Sequence, residues 1–291
     1  MLALVAAALL VACAERAPQP TPPPRPAGAP RIVALSPAVA VTLRDLGLED
    51  HVVGRHAWDL VLDRSLPVCG DQSGINYESL LAARPTHVIL EWGVRDLPAR
   101  LVALAEANGW SVHSVRLLSL ADIRAFAADA AAEFAPNDAH AAEVVSSLDR
   151  IADGVDRRAA GRVLVLLSAS PPAALGPGSY HHEVLALLGG VPALEQGQPY
   201  VTLNAEDVLR LAPDGIVLVM PRSPGAPEAG TPAWDEIVPK LGRLAELPIP
   251  AVERRRVAVI DDPLALIPST AAVVFAERLR AVLDAWNEPR P

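Results

Sequence analysis

The chain has 291 residues and carries 34 acidic against 25 basic side chains, which gives a formal net charge of −9 at neutral pH. This balance argues against nucleic acids and anionic lipid surfaces as partners, because both are bound by clustered Lys and Arg. The two cysteines are Cys13 and Cys69. If Cys13 is lipidated, no internal disulfide forms and no cysteine-based zinc site exists.

The first 13 residues form an apolar run that ends in Leu-Val-Ala-Cys13, a pattern typical of a lipobox. A run this short cannot cross a hydrocarbon core about 30 Å thick as a helix. We therefore predict a lipoprotein signal segment over residues 1–13, with lipid attached at Cys13 and the protein anchored in the cell envelope, on its periplasmic or extracellular face. The alternative is a cleaved secretory signal in which Cys13 is incidental.

Residues 14–30 are rich in proline and predict an extended tether between the anchor and a folded domain. Proline at this density favours polyproline II at about 3.1 Å per residue. Folding is expected to begin near Arg31.

The segment 31–137 alternates short β-branched runs with helical patterns, which indicates an α/β lobe. Its first strand is predicted over Arg31–Leu35, and Ser36-Pro37 then opens a helix as N-cap and first helical residue. The three further predicted strands are His51–Gly54, Thr86–Leu90 and Ser111–Val115.

Residues 138–160 predict one long helix that connects this lobe to a second α/β lobe over residues 161–291. In the second lobe strands are predicted over Arg162–Leu167, Gly215–Val219 and Arg256–Ile260, and a final helix over Thr270–Trp286. The predicted fold class is α/β, with two Rossmann-like lobes whose central parallel sheets are joined by a single long backbone helix.

An internal repeat relates the two lobes, because residues 76–90 align without gaps to residues 204–218. Both copies contain Asn-x-Glu, a short helix, a proline and an apolar strand. Each Asn is predicted to cap its helix, and Glu78 and Glu206 occupy the first turn, where a carboxylate is favoured. One interpretation is helix stabilisation alone. The other, which two matched carboxylates favour, is a pair of docking residues for a two-fold partner.

Aromatic residues are scarce, and several follow predicted strands. Because ligands of open α/β sheets bind beyond the carboxyl ends of the strands, we predict that Trp58, Trp92, Tyr180 and Tyr200 line a cleft between the lobes. His56 precedes Trp58 by two residues and is a candidate to contact the ligand or its metal. For each aromatic alone, a place in the core is the alternative. No catalytic residue set and no protein-held metal site is predicted.

The chain resembles the substrate-binding proteins of ABC importers whose lobes are joined by a helix, the class that serves vitamin B12, ferric siderophores and haem. The resemblance rests on the segments 31–37 and 46–54, the two repeats, 176–190 and 256–260. It implies that Glu78 and Glu206 meet arginines of a permease dimer. Against the vitamin B12-binding members, Trp58 and Tyr200 match cleft aromatics, whereas Gln72 replaces an aromatic and Trp92 is offset by one residue.

The resulting prediction is a monomeric, non-enzymatic lipoprotein that captures a corrinoid and delivers it to an ABC permease dimer with its ATPase. The bound metal complex is cargo, and no catalytic cofactor is expected. Haem or a ferric siderophore is the alternative ligand, although the cleft of the first lobe looks acidic and poor in arginine for a trianionic catecholate. An enzyme or a surface sensor on the same two-lobed frame is the remaining alternative.

Overall fold

The computed structural model describes residues 28–93, 96–228, 230 and 232–288. The predicted signal segment, Cys13 and nearly all of the predicted tether lie outside these residues. Among the described residues, no helix has both the length and the apolar character needed to cross a membrane.

The first lobe is built on a sheet with the strand order β4-β3-β2-β1-β5-β6, parallel throughout except for the β3–β4 pair. Its strands are β1 Ile32–Ala34, β2 Val52–His56, β3 Val68–Asp71, β4 Gly74–Ile75, β5 His87–Glu91 and β6 Ser111–Val115. Its helices are α1 Pro37–Asp45, α2 Tyr77–Ala83 and α3 Ala99–Asn108.

The second lobe has the strand order β10-β8-β7-β11-β12, and β9 pairs with β7. Its strands are β7 Arg162–Ala169, β8 Pro172–Leu175, β9 Val191–Pro192, β10 Tyr200–Thr202, β11 Gly215–Val219 and β12 Val257–Ile260. Its helices are α6 Tyr180–Leu187, α7 Ala205–Leu211, α8 Trp234–Leu241, α9 Pro250–Glu253 and α10 Ala272–Asn287. The strands β7, β9, β11 and β12 are parallel, whereas β8 and β10 are antiparallel to their neighbours.

Alternate strand residues enter opposite cores, because successive side chains of a strand point to opposite faces of the sheet. In β1, Ile32 and Ala34 join one buried cluster and Val33 joins the other. In β7, Val163 and Val165 join one cluster and Leu164 and Leu166 join the other. Each lobe is therefore a sheet covered by helices on both faces, as the predicted fold class requires.

The connection between the lobes differs from the predicted single helix over 138–160. The helix α5 covers only Ala139–Asp149, and it packs against α4, Leu120–Phe134, to form a helical hairpin. Both helices contact both lobes: α4 places Ile123 in the core of the second lobe and Phe126 in that of the first. The linkage is thus two short helices side by side.

The helix α5 ends early because tertiary contacts hold the residues after it in a turn. The carboxylate of Asp153 accepts the main-chain N–H of Val155 at 3.0 Å and ion-pairs with Arg157 at 2.8 Å and Arg280 at 2.9 Å. Gly154 adopts the left-handed region at φ +70°, which suits glycine. An Asp that binds the main chain locally competes with helix formation, and here the ion pairs with α10 and the following loop favour the turn.

The two repeats fold alike, as predicted. Asn76 and Asn204 accept the N–H of Ser79 at 3.1 Å and of Asp207 at 2.9 Å, capping α2 and α7. Both helices end in a left-handed residue just before the shared proline, Arg84 at φ 45° in the first and Ala212 at φ 42° in the second.

Candidate functional site: a cleft between the lobes

A cleft of about 740 Å³ opens at the carboxyl ends of the strands of the first lobe. Its walls come from the ends of β1, β2, β3 and β5 and from the loops that follow them, and Ile267 of the second lobe faces these walls. The volume falls within the range of about 300–1,000 Å³ that is typical of small-molecule sites. The position agrees with the rule that ligands bind beyond the carboxyl ends of parallel strands.

The loop after β2 presents Trp58 to the cleft. The Asp59 carboxylate accepts the main-chain N–H groups of Val61 at 3.2 Å and Leu62 at 3.0 Å, and Ala57 donates its N–H to the carbonyl of Gly70 at 2.8 Å. With its main chain fixed in this way, the loop leaves the Trp58 side chain 61% exposed. A ring held open to solvent on a fixed loop is a surface ready to receive a ligand.

His56 lies beneath this loop and is buried. Its Nδ1 accepts the N–H of Trp58 at 3.1 Å, and the ring makes a second hydrogen bond to the main chain of Asp71. Burial lowers the pKa of His56, although the nearby carboxylates of Asp71 and Asp59 oppose this shift. The ring of His56 is therefore held by two main-chain groups, and it supports the loop that carries Trp58. In this conformation the ring is not placed to bind the metal of a ligand, as the sequence had suggested.

Glu91 closes β5 and faces the cleft beside Trp92. Its Oε2 accepts a hydrogen bond from the hydroxyl of Ser36 at 3.0 Å. Desolvation by the surrounding protein raises the pKa of Glu91, and the bond from Ser36 offsets part of this effect. Trp92 is half-buried, and its indole N–H donates to the carbonyl of Asp96 at 2.9 Å, which fixes the ring at the wall.

Tyr200 lies on the second lobe and is not among the described residues that line the cleft. It begins the edge strand β10 and is 51% exposed. Partial burial raises the pKa of Tyr200, and the negative charge of Glu91 on the first lobe raises it further. Both effects keep Tyr200 a neutral phenol at neutral pH.

Tyr180 occupies a different place from the one expected. The ring is 1% exposed within the core of the second lobe, and its hydroxyl donates to the carbonyl of Ala265 at 2.7 Å. The ring packs edge-on against Phe275 at 6.1 Å between centroids. Because Tyr180 begins α6 with its side chain directed into that core, it does not line the cleft, and we leave it out of the ligand-binding set.

Charged residues of both signs line the cleft. Arg55 and Arg64 lie in the wall with the carboxylates of Asp59, Asp71 and Glu91. The expectation of an arginine-poor cleft is thus corrected, but the positive charges are outnumbered and interspersed. The guanidinium of Arg55 donates to the carbonyls of His56 at 3.2 Å and Arg64 at 3.3 Å. Gln72 is exposed at the rim, in the turn between β3 and β4.

Glu78 and Glu206 are exposed in the first turns of α2 and α7, one on each lobe. Cys69 is fully buried, and desolvation raises the pKa of its thiol to about 11, so it is not a reactive thiolate. A Cβ at Gly54 would lie 2.5 Å from the Cys69 sulfur, which explains a glycine at this point of β2.

Several cleft residues escaped the sequence analysis, chiefly Ser36, Asp71 and Glu91 and the pair Arg55 and Arg64. Ser36 was assigned only its N-cap role, which it fulfils by accepting the N–H of Ala38 at 3.1 Å. The sequence feature that could have identified Glu91 and Asp71 was their position, since each is the last residue of a strand that points toward the cleft.

A family model described as "Periplasmic binding protein" matches residues 32–264, which covers most of the chain. The chain belongs to this family of binding proteins. No curated protein sequence matches it significantly.

Solved structures with the same two-lobed fold match nearly the whole chain. The periplasmic haem-binding protein RhuT from Roseiflexus sp. RS-1 is 20% identical with a TM-score of 0.65, covering 90% of this chain and 100% of that one. The periplasmic vitamin B12-binding protein BtuF of Vibrio cholerae is 20% identical with a TM-score of 0.66, covering 90% and 99%. The periplasmic haem-binding protein HutB of Vibrio cholerae is 20% identical with a TM-score of 0.67, covering 87% and 98%. At this identity the likeness establishes the fold.

Proposed function

We propose that this chain is the substrate-binding lipoprotein of an ABC importer and that it captures a corrinoid in the cleft between its lobes. The observation that carries the proposal is the cleft itself, which is open, is faced by Ile267 of the second lobe and displays Trp58 and Trp92 on fixed supports. Rigid rings at a preformed site bind a broad, flat ligand with little loss of side-chain entropy. Proteins of similar fold bind vitamin B12 or haem, as their names state.

The chemistry of the cleft favours a ligand whose rim is neutral and rich in amides. Arg55 and Arg64 are balanced by nearby carboxylates, which disfavours a trianionic siderophore. Tyr200 stays protonated beside Glu91, so a phenolate ligand for haem iron is disfavoured, while a phenol and a carboxylate are suitable partners for amide groups. His56 is engaged by its own loop.

A titration with separate metal complexes tests this proposal. Cobalamin, cobinamide, haem and a ferric siderophore are each added to the purified chain while tryptophan fluorescence and heat release are followed. We expect saturable quenching with the corrinoids, and Trp58→Ala is expected to weaken binding about 30-fold, the loss that corresponds to about 2 kcal/mol at a central aromatic contact. The matched control is Leu187→Ala, which shortens an exposed apolar side chain outside the cleft.

The absence of any response to both corrinoids would reject the proposed ligand. Haem is the second candidate because solved structures of similar fold are named as haem-binding proteins and because Arg55 and Arg64 lie in the cleft wall. Its signature would be a saturable shift of the haem absorption band. Binding of none of the four complexes would also reject the broader proposal of metal-complex capture.

Docking and anchoring complete the proposed function. We propose that Glu78 and Glu206 contact basic residues of a two-fold permease, because both are exposed at equivalent places on the two lobes. Cys13 is proposed as the lipid attachment site, which would hold the chain at the outer face of a cell-envelope membrane by the tether of residues 14–30. Incorporation of labelled palmitate, and its loss in Cys13→Ala, tests the anchor.

A further inference from the structure

Two histidines and a glutamate from three separate elements converge outside the cleft. His87 begins β5, His113 lies in the adjacent edge strand β6, and Glu133 is near the end of α4. The Nε2 atom of His87 is 3.3 Å from Oε1 of Glu133, and Nε2 of His113 is 3.8 Å from the same oxygen. One ligand atom from each residue lies within 4.8 Å of the others.

The two imidazole rings are oriented alike. Their planes differ by 27°, with centroids 5.9 Å apart, because parallel pairing of β5 and β6 places the two side chains on one face of the sheet. Both Nε2 atoms therefore approach the same carboxylate oxygen. Adjacent strands fix two ligands, and the packed helix supplies the third.

The outer nitrogen of His87 has a fixed partner. Its Nδ1 is 2.8 Å from the hydroxyl oxygen of Thr86, and that oxygen also accepts the main-chain N–H of Arg31 at 2.8 Å. A hydroxyl that accepts the Nδ1 proton leaves Nε2 with a free lone pair directed at the cluster. Metal-binding histidines are held in this way, with the second ring nitrogen hydrogen-bonded to a neighbouring group.

His113 supplies an independent sign of a missing partner. Its Nε2 is buried and forms no hydrogen bond among the described residues. Buried polar atoms are nearly always satisfied, so an unpaired nitrogen beside a carboxylate calls for an explanation. The separation of 3.8 Å from Glu133 is too long for a hydrogen bond but suits two ligands of one ion.

We propose that His87, His113 and Glu133 bind a divalent transition-metal ion of the zinc class. With metal–ligand bonds of about 2.0–2.1 Å, ligands of a tetrahedral ion lie about 3.3–3.4 Å apart. The 3.3 Å between His87 and Glu133 matches this spacing, and the 3.8 Å between His113 and Glu133 is slightly longer. Two imidazoles and one carboxylate match the ligand preferences of zinc, cobalt and nickel, and the remaining position would be filled by water.

The proposed ion is separate from the ligand cleft. His87 and Glu91 lie at opposite ends of β5, four residues or about 13 Å apart. The ion would join α4, a helix of the interlobe hairpin, to the sheet of the first lobe. Its expected consequence is a firmer attachment of the connection between the lobes, independent of which cargo the cleft accepts.

The test is a titration of the chelator-treated full chain with Zn²⁺ by calorimetry and with Co²⁺ by absorption spectroscopy. We expect one equivalent of either ion to bind, with a cobalt spectrum of four or five ligands that include nitrogen. His87→Ala and Glu133→Gln are each expected to weaken binding by about 100-fold or more, and Thr86→Val by about 10-fold, since it removes only the supporting hydrogen bond.

The matched control is His51→Ala, which removes a histidine of the same lobe outside the cluster and should leave the affinity for Zn²⁺ unchanged. Melting temperatures in chelator establish that each variant is folded. Failure of the native chain to bind one equivalent of ion would overturn the proposal. It would equally be overturned if His87→Ala bound Zn²⁺ as tightly as the native chain, or if the control variant lost binding.

Discussion

The two lobes share a repeat and a layered architecture, but the first lobe supplies far more of the cleft lining than the second. In the first lobe the strands β1, β2, β3 and β5 end in side chains that line the cleft. In the second lobe the corresponding loop before α6 sends Tyr180 and His181 into the core, where both bind the carbonyl of Ala265. Its contribution to the lining of the cleft is Ile267.

This difference follows from sheet topology. The first lobe continues parallel strands to its cleft-side edge, so several strand ends and loops converge there. The second lobe instead turns back after β7 through a hairpin to β8, and β10 then pairs with β8 in the antiparallel sense. One lobe thus provides most of the binding surface, and the other provides a facing wall.

The largest expected effect concerns Glu78 and Glu206, the matched glutamates of the repeat that the two lobes share. Combined Glu78→Arg and Glu206→Arg substitution is expected to abolish uptake by cells, because arginines in place of the two proposed docking carboxylates would repel basic sockets of the permease. Ligand affinity of the purified protein should not change, and stability should fall by no more than about 1 kcal/mol for each helix start. Each single variant should retain part of the uptake. Glu106→Arg on α3 is the control, and full uptake by the double variant would refute docking through these residues.

The next largest effect is on stability, and it distinguishes Tyr180 in the core of the second lobe from Trp58 in the cleft of the first. Tyr180→Ala is expected to lower the free energy of unfolding by about 3–5 kcal/mol, the cost of removing a large ring from a packed core. Trp58→Ala should change it by less than about 0.5 kcal/mol, because that ring is mostly exposed.

Urea unfolding of the two variants measures this contrast. Tyr180→Phe, which keeps the ring and loses the hydrogen bond to Ala265, should cost about 1 kcal/mol and serves as the control. If Trp58→Ala were the more destabilising substitution, the assignment of core and cleft roles would be reversed.

The smallest effect is a pH dependence at Glu91. Because desolvation raises its pKa in the folded state, the associated stability is present below the ordinary carboxyl pKa and is lost as pH rises through the folded value. Glu91→Gln is therefore expected to be more stable than the native chain at pH 7, by less than about 1 kcal/mol since solvent screens the charge. The advantage should vanish near pH 4 in thermal unfolding. A variant less stable at pH 7 would contradict the sign of the shift.

Much of the fold was predictable because local patterns of apolar residues indicate most of the longer strands. The strands predicted in the first lobe appear as β1, β2, β5 and β6, and those of the second as β7, β11 and β12. The short strands β3, β8 and β10 were missed, since they are brief and depend on pairing with neighbours for their identity. Among the predicted ligand residues, Trp58, Trp92 and His56 do lie at the cleft wall.

What the sequence determined by itself was the alternation of strands and helices and the capped repeats, because hydrophobic period and capping act over a few residues. Only the tertiary structure decided that Tyr180 is buried and that α5 stops at Asp149. It also decided that His87, His113 and Glu133 converge. These outcomes depend on contacts between residues 20 to 127 positions apart, from His113 with Glu133 to Asp153 with Arg280, and no local pattern encodes such distances.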